Sequence, residues 1–206
     1  MTYIVKEIFY TLQGEGANTG RAAVLLRFAG CNLWTGRTED RANAVCGFCD
    51  TDFWGTDGPG GGNYAEAVDL ADAVNEMWKG SGAEDNTKFV VCTGGEPLLQ
   101  LDLGLVEALH ARQFTIAVET NGTIAAPEGI DWLCVSPKAG VELVQKTGDE
   151  LKLVYPQEGL EPREFELLEF EYFFLQPLDG PQRERNTGLA LDYCRNYPRW
   201  RLSLQI

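Results

Sequence analysis

The chain has 206 residues, 44% of them hydrophobic, which is enough for one domain with a substantial core and too little for two ordinary ones. Its 31 acidic residues against 17 basic ones give a net charge of −14, and a field of that sign repels phosphate backbones and anionic lipid. Nucleic acid and membranes are therefore not expected partners, whereas an anionic small molecule stays open, because a pocket needs only one or two local cations. The opening "MTYIVKEIFY" lacks a basic region followed by an apolar run, and no stretch approaches the roughly 20 apolar residues of a membrane span, so a cytoplasmic protein is expected.

In chain order, short β-branched and apolar runs recur: "AAVLLRF" over about 23–28, "KFVVC" (88–92), "FTIAVE" (114–119), "WLCVS" (132–136), "LKLVYP" (151–156), "EYFFLQP" (171–177) and "WRLSLQ" (200–205). They are nearly continuous rather than alternating, which suits parallel strands covered by helices. Between the first two runs, "NYAEAVDLADAVNEMWKG" predicts a helix with Val68, Ala71, Val74 and Trp78 on one face, Asn63 as its cap and Gly80 after its end. Between the second and third, "LDLGLVEALHARQ" predicts a helix with Leu105, Val106 and Leu109 as its stripe. Residues 120–131 and 137–150 are too short or too punctuated by Gly and Pro for long helices, while "EPREFELLEF" (161–170) and "NTGLALDYCRNY" (186–197) can each form one. Strand alternating with helix gives an α/β class, here an incomplete parallel barrel of about six strands with few helices. Residues 1–206 read as one domain with an insertion at about 31–63, in which "GTDGPGGGN" (55–63) is a flexible loop.

Residues 29–53, "AGCNLWTGRTEDRANAVCGFCDTDF", gather three of six cysteines: Cys31, Cys46 and Cys49. Without a signal peptide, the reducing cytosol favours metal binding over disulfides as the use of such a cluster. Cys92 and Cys134 lie in apolar runs and, with the isolated Cys194, are read as structural. A closed zinc site wants four ligands, and with His110 the sole histidine and no second cysteine pair, it would have to recruit an Asp. A 4Fe-4S cluster on three thiolates leaves one iron open to a ligand that is not protein. An amino acid chelating through amine and carboxylate would fill that position, and S-adenosylmethionine carries such a group.

At this point the sequence resembles the radical S-adenosylmethionine superfamily, whose three-cysteine loop follows the first strand of a partial barrel. The superfamily's common spacing is three and two residues, so the fourteen between Cys31 and Cys46 depart from it. "TGGEP" at 93–97 stands where the superfamily carries its "GGE" segment: Gly94 and Gly95 let backbone approach a ligand closely, Glu96 can accept from an ammonium, and Pro97 suits a first helical turn. "VETNG" (118–122) and "VSPK" (135–138) end predicted strands, where α/β sheets present ligand-binding residues. Glu119, Asn121, Ser136 and Lys138, with Pro137, are expected around the ribose hydroxyls and the carboxylate of S-adenosylmethionine, and Gln176 in "FLQPLDG" joins them.

The most specific stretch, "YTLQGEGANTGRAAVLLRFAGCN", resembles the 7-carboxy-7-deazaguanine synthases, whose chains open with "LQGEG", a strand carrying an arginine, and "GCN", followed by "CDT". The likeness runs from residue 8 to about residue 205, through "TGGEP", "ETNG", "SPK", "LQP" and "LSLQ". It implies a radical rearrangement of 6-carboxy-5,6,7,8-tetrahydropterin to 7-carboxy-7-deazaguanine with loss of ammonia, in 7-deazapurine (queuosine-type) biosynthesis. The 5′-deoxyadenosyl radical takes hydrogen from C6 and returns it, so that the cofactor does the chemistry and no protein side chain is a catalytic residue. The resemblance further implies a cluster on Cys31, Cys46 and Cys49 and a Mg²⁺ bound by Thr51. Phe48 is expected near the adenine with Asp50 beside the cofactor. A substrate set of Leu12, Gln13, Gly14, Glu15, Arg27 and Thr93 is expected too, with Gln13 and Glu15 on the pterin's guanidine-like edge and Arg27 on its carboxylate. A flavodoxin- or ferredoxin-type electron donor and a homodimer follow from the resemblance as well. The family usually continues past this point through a histidine to a tail that closes over substrate, whereas here Ile206 follows Gln205, and His110 is expected to lie away from the barrel mouth. Two rival readings are a glycyl-radical activase of the anaerobic ribonucleotide reductase type and a non-catalytic iron–sulfur protein. "LQGEG" with Arg27 argues against the first, and the open iron against the second. The segment 32–45 is expected to be a solvated insertion.

Overall fold

The computed structural model describes residues 2–84 and 87–204. Among the described residues nine strands form one open sheet: β1 (Tyr3–Leu12), β2 (Ala22–Phe28), β3 (Gly62–Tyr64), β4 (Phe89–Gly94), β5 (Thr115–Thr120), β6 (Trp132–Val135), β7 (Thr147–Tyr155), β8 (Glu169–Pro177) and β9 (Trp200–Leu202). Their spatial order is β3-β1-β2-β4-β5-β6-β7-β8-β9. From β2 to β9 every pairing is parallel, and β1 adds an antiparallel edge that β3 extends. All seven apolar runs of the sequence become these parallel strands, although Gln205 lies outside the described residues. Neither β1 nor β3 was expected.

Among the described residues three α-helices cover the outside: α1 (Ala67–Gly80), α2 (Leu103–His110) and α3 (Arg183–Asn196). α1 starts later than its sequence suggests, because Asn63 pairs with Ile4 in the β3–β1 ladder and Glu66 takes the cap position. Its buried stripe is accordingly Leu70, Ala71, Val74 and Trp78, and Val68, expected on that stripe, stays exposed. Trp78 is wholly buried and meets Tyr10 and Phe114 edge-on at 5.5 and 6.1 Å, a geometry that the ring quadrupoles favour. α2 buries Leu105, Val106 and Leu109 as expected, with Asp102 accepting from the Leu105 N–H as cap. Residues 161–170 do not form a helix: Pro162–Phe165 make one 3₁₀ turn, Leu167 is almost fully exposed, and β8 begins at Glu169. The end of the segment is taken by the β7–β8 ladder, where Glu169 and Phe170 stand opposite Thr147 and Gly148.

Side-chain alternation then splits the sheet into two faces. Leu26 and Phe28 of β2, Val90 and Cys92 of β4, Ile116 and Val118 of β5, and Leu151 and Leu153 of β7 point to the helices and form the core. Inside the curve, a small apolar group of Ala23, Phe89, Val91 and Ala117 closes one end. Towards the strands' C-terminal ends the same inward rows turn polar. Arg27 lies beside Thr93, and Glu119, Cys134 and Glu150 follow one another across β5, β6 and β7.

Candidate active site

The polar end opens into a cavity of about 590 Å³. Of the expected site residues, Leu12, Gln13, Gly14, Glu15, Arg27, Cys31, Cys46, Phe48, Cys49, Asp50, Thr51, Thr93, Gly94, Gly95, Glu119, Asn121, Ser136, Lys138 and Gln176 all line it. Glu96 and Pro137 do not. The Glu96 side chain is wholly buried, and its carboxylate accepts from the Leu98 N–H (2.9 Å), the Thr120 hydroxyl (2.8 Å) and the Asn121 N–H (2.8 Å). It therefore ties the end of β5 to the turn after β4 rather than facing a ligand, and burial pushes its pKa up despite these donors. The Pro137 carbonyl accepts from Gln157 Nε2. His110 pairs with Asp131 at 3.0 Å, outside the cavity lining, as expected.

The three thiols share one wall. The Leu33 N–H points at Cys31 Sγ (3.4 Å), and Cys46 and Cys49 are hydrogen-bonded through their side chains, which pulls the Cys49 thiol down to about 6 while burial lifts Cys31. A fourth thiol, Cys134, also reaches the cavity, but it sits on the strand floor, contacts Glu150 Oε1 at 3.3 Å, and is pushed well up by burial. Among the described residues no three Cys, His or carboxylate groups close on a single ion. Three soft donors on one wall with a polar cavity beside them fit a 4Fe-4S cluster, for which Cys31, Cys46 and Cys49 would supply three thiolates and leave one position to a ligand that is not protein.

The insertion 32–45 is not merely solvated. Thr38–Asn43 form a 3₁₀ segment, Trp34 is buried edge-on against Phe53 (5.5 Å), and the Arg41 guanidinium lies over the Trp34 ring (4.1 Å). From there Arg41 Nη1 donates to the carbonyls of Gly47 and Cys49, both at 2.9 Å, so the insertion holds the Cys46–Cys49 turn in place. On the other side Lys6 of β1 donates to Asp52, Asp57 and the Trp54 carbonyl (2.7–2.9 Å), fastening the segment after Cys49. Asn121 reinforces the start of the loop, since its Nδ2 donates to Asn32 Oδ1 (3.0 Å). Gly94 and Gly95 do allow a close approach, but to the chain's own backbone: a Cβ on Gly94 (φ +144°) would meet the Phe28 carbonyl at 2.3 Å, and one on Gly95 the Gly30 carbonyl at 2.2 Å. They bring β4 against the entry to the thiol loop.

The floor is charged. Lys152 of β7 sits between Glu15 Oε2 (2.5 Å) and Glu119 Oε1 (3.2 Å). Gln13 Nε2 donates to Glu119 Oε1 (3.1 Å), Thr93 Oγ1 to Glu119 Oε2 (3.3 Å), and Gln176 Nε2 to Glu15 Oε1 (3.1 Å). Glu119 and Gln176, expected around S-adenosylmethionine, thus join Gln13 and Glu15. Gly16 makes this floor possible, because it holds φ +67° and a Cβ there would fall 2.0 Å from the Glu150 carboxylate. Arg27 donates through Nε to Glu7 (2.8 Å), and its two terminal nitrogens make no hydrogen bond among the described residues. Lys138 donates to the Ser136 carbonyl and hydroxyl (2.6 and 2.7 Å), with its pKa lowered by burial. Glu7 and Lys152 were not anticipated. Their signal was a charge at an inward position of a strand, which shows only once the strand's faces are known.

The radical SAM superfamily model matches residues 40–154. The 7-carboxy-7-deazaguanine synthases of Caulobacter vibrioides and Bordetella pertussis are 63% and 60% identical to this chain over 205 residues, which cover 100% of the chain and 96% of each relative. The chain belongs to the 7-carboxy-7-deazaguanine synthase family of radical SAM enzymes. At 41% identity the Bacteroides thetaiotaomicron synthase still covers 98% of the chain and 93% of its own length. The crystal structure of QueE from Escherichia coli matches with a TM-score of 0.68 at 25% identity, covering 100% of this chain and 94% of that one. A 4Fe-4S cluster and S-adenosylmethionine go with membership of the superfamily, and the thiol wall described above has the donors for the first. The superfamily match opens at residue 40, inside the insertion, which leaves Cys31 outside it. No helix among the described residues is long and apolar enough to cross a membrane.

Proposed function

We propose that the chain converts 6-carboxy-5,6,7,8-tetrahydropterin to 7-carboxy-7-deazaguanine with loss of ammonia, in 7-deazapurine (queuosine-type) biosynthesis. The observation that carries this reading is one cavity with three thiols on one wall and the Gln13, Glu15 and Arg27 side chains on the others. When bound, the cluster and S-adenosylmethionine supply reductive cleavage of a carbon–sulfur bond and hydrogen abstraction from substrate. Cys31, Cys46 and Cys49 would hold the cluster. Phe48 would pack on the adenine, with Asp50, Gly94, Gly95, Asn121 and Ser136 around the rest of the cofactor, and Lys138 would offer its ammonium to the methionine carboxylate.

Substrate orientation falls to the opposite walls. Arg27, already steadied by Glu7, would pair its terminal nitrogens with the pterin carboxylate, which answers how an acidic chain binds an acid. Gln13 and Glu15 offer the carbonyl and carboxylate acceptors that a guanidine-like edge needs, and Leu12, Gly14 and Thr93 would shape the same side. Thr51, whose hydroxyl lies 3.4 Å from Asp50 Oδ1 on the cavity wall, would bind Mg²⁺ together with oxygens from substrate and water. We read the chain as one domain, cytoplasmic, acting as a homodimer and taking electrons from a flavodoxin- or ferredoxin-type donor.

The test is anaerobic: a reconstituted cluster, dithionite, S-adenosylmethionine, Mg²⁺ and 6-carboxytetrahydropterin should yield a deazaguanine by mass, and none with Cys31→Ala. Cleavage to 5′-deoxyadenosine without that product would keep the radical chemistry and defeat the substrate. Accumulation of 5′-deoxyadenosine with a partner polypeptide would favour an activase, which consumes the cofactor.

A further inference from the structure

We propose that Lys152 is a positioning residue that sets the cavity's preference for a donor-rich, guanidine-like ligand edge by holding Glu15 and Glu119 side by side as paired acceptors. The inference rests on the pterin reading above and deepens it. Lys152 is 5% exposed, and its ammonium bridges a carboxylate from the turn after β1 and one from β5, residues 137 and 33 positions away in the chain. Two carboxylates facing one cavity repel, and the cheapest relief is for one to take a proton. A protonated carboxyl presents an O–H, which clashes with the amino and ring N–H donors of a pterin edge. An ammonium between the two offsets that repulsion and holds their oxygens side by side.

The surrounding donors fit this role. Gln13 and Thr93 each give one hydrogen bond to Glu119 and Gln176 gives one to Glu15, so that together with Lys152 every carboxylate oxygen of the pair has a protein donor that fixes its direction. Glu119 Oε1 takes two, and the lone pairs left on the other oxygens are the ones that can accept from a ligand. The other titratable groups near Lys152 are Cys134 of β6, Glu150 of β7 and the buried ammonium of Lys138, a like charge that bonds to Ser136 instead of to the pair. Glu150 is occupied by the Cys134 thiol (3.3 Å) and the Ala17 N–H (2.9 Å), so it does not compete for the bridge. Burial alone would pull the lysine's pKa down, but the carboxylates of Glu119, Glu15 and Glu150 and the Cys134 thiol outweigh it, and the net shift is well upward. The ammonium therefore keeps its proton.

The probes are pterin-6-carboxylate and lumazine-6-carboxylate, which differ in a 2-amino group replaced by a carbonyl oxygen, titrated calorimetrically into the cluster-loaded protein. The native protein is expected to prefer the pterin by about tenfold or more, as sites built to pair with a ligand's polar edge do. Lys152→Met is expected to reduce that preference to about twofold or less, and Lys152→Arg to keep most of it. If Lys152→Met weakens both ligands equally and keeps the ratio, the residue is merely structural and the inference is overturned. Should Lys152→Met not fold, the ¹⁵N resonance of Lys152 Nζ in the native protein decides. A shift with the pterin that the lumazine does not reproduce supports the inference, and a resonance that ignores both overturns it. A native protein that binds neither probe overturns the pterin reading, and this inference with it.

Discussion

The thiol wall and the charged floor of the cavity are built in opposite ways. Cys31, Cys46 and Cys49 stand on a long loop that is held from within by Arg41 and from outside by Lys6 and Asn121, mostly through bonds to backbone carbonyls and loop side chains. Glu119 and Lys152 stand on strands, in a register fixed by the sheet, and with Glu15 they hold one another. A loop can adjust to an inorganic cluster, whose binding energy then stiffens it. Strands fix directions before any ligand arrives, which is what selection of one heterocycle edge requires.

Substitutions can break this contrast at either end. The largest effect is expected from Cys31→Ala or Cys49→Ala, with loss of both the cluster's visible absorbance and product. Retention of a fully reduced-and-reoxidised cluster in either variant would remove the thiol wall from the account. Next comes Arg27→Lys, which loses the planar fork. A pair of this kind contributes about 1.5–3 kcal/mol, so kcat/KM should fall on the order of 10- to 100-fold, carried by KM while iron content stays native.

Arg41→Ala sharpens the comparison, because it touches the thiol wall without touching the floor. Supporting groups of this kind typically change metal affinity by about 10- to 100-fold, so iron should pass faster to a chelator while binding of pterin-6-carboxylate is unchanged. Equal losses of both would mean that the two regions are not independent. The smallest effect is expected from Lys6→Met. Its partners Asp52 and Asp57 are 73% and 82% exposed, so solvent screens both pairs and they contribute little. Iron retention should fall by a few-fold at most, and raising the salt should bring the native protein towards the variant, since exposed pairs are screened.

The elements were legible wherever a local pattern decides them. Seven apolar runs became seven parallel strands, and the Leu105, Val106 and Leu109 stripe made a helix, because both follow from the period at which side chains repeat. Residues 161–170 misled because Pro162, Phe165 and Leu168 repeat at helical spacing, whereas the end of the segment pairs with Thr147 and Gly148 in the sheet, a contact that no local pattern shows. β1 was missed because "YIVKEIFYTL" carries Lys6 and Glu7 among its apolar residues, and each has its reason elsewhere: Lys6 in the segment after Cys49, Glu7 in Arg27 of β2.

The sequence by itself determined the chemistry on offer: a triplet of thiols short of a closed metal site, an arginine just before it, and an acceptor-rich "LQGEG". These are properties of residue type and spacing along the chain. Only the tertiary structure decided that Glu96 turns inward to bind backbone, that Gly94 and Gly95 make room for their own chain, and that Glu119 and Gln176 serve the floor. The same holds for Lys152, which meets Glu15 across 137 positions of sequence. The partner of an inward side chain depends on strand order and register, which arise from packing the whole sheet and from no single segment of it.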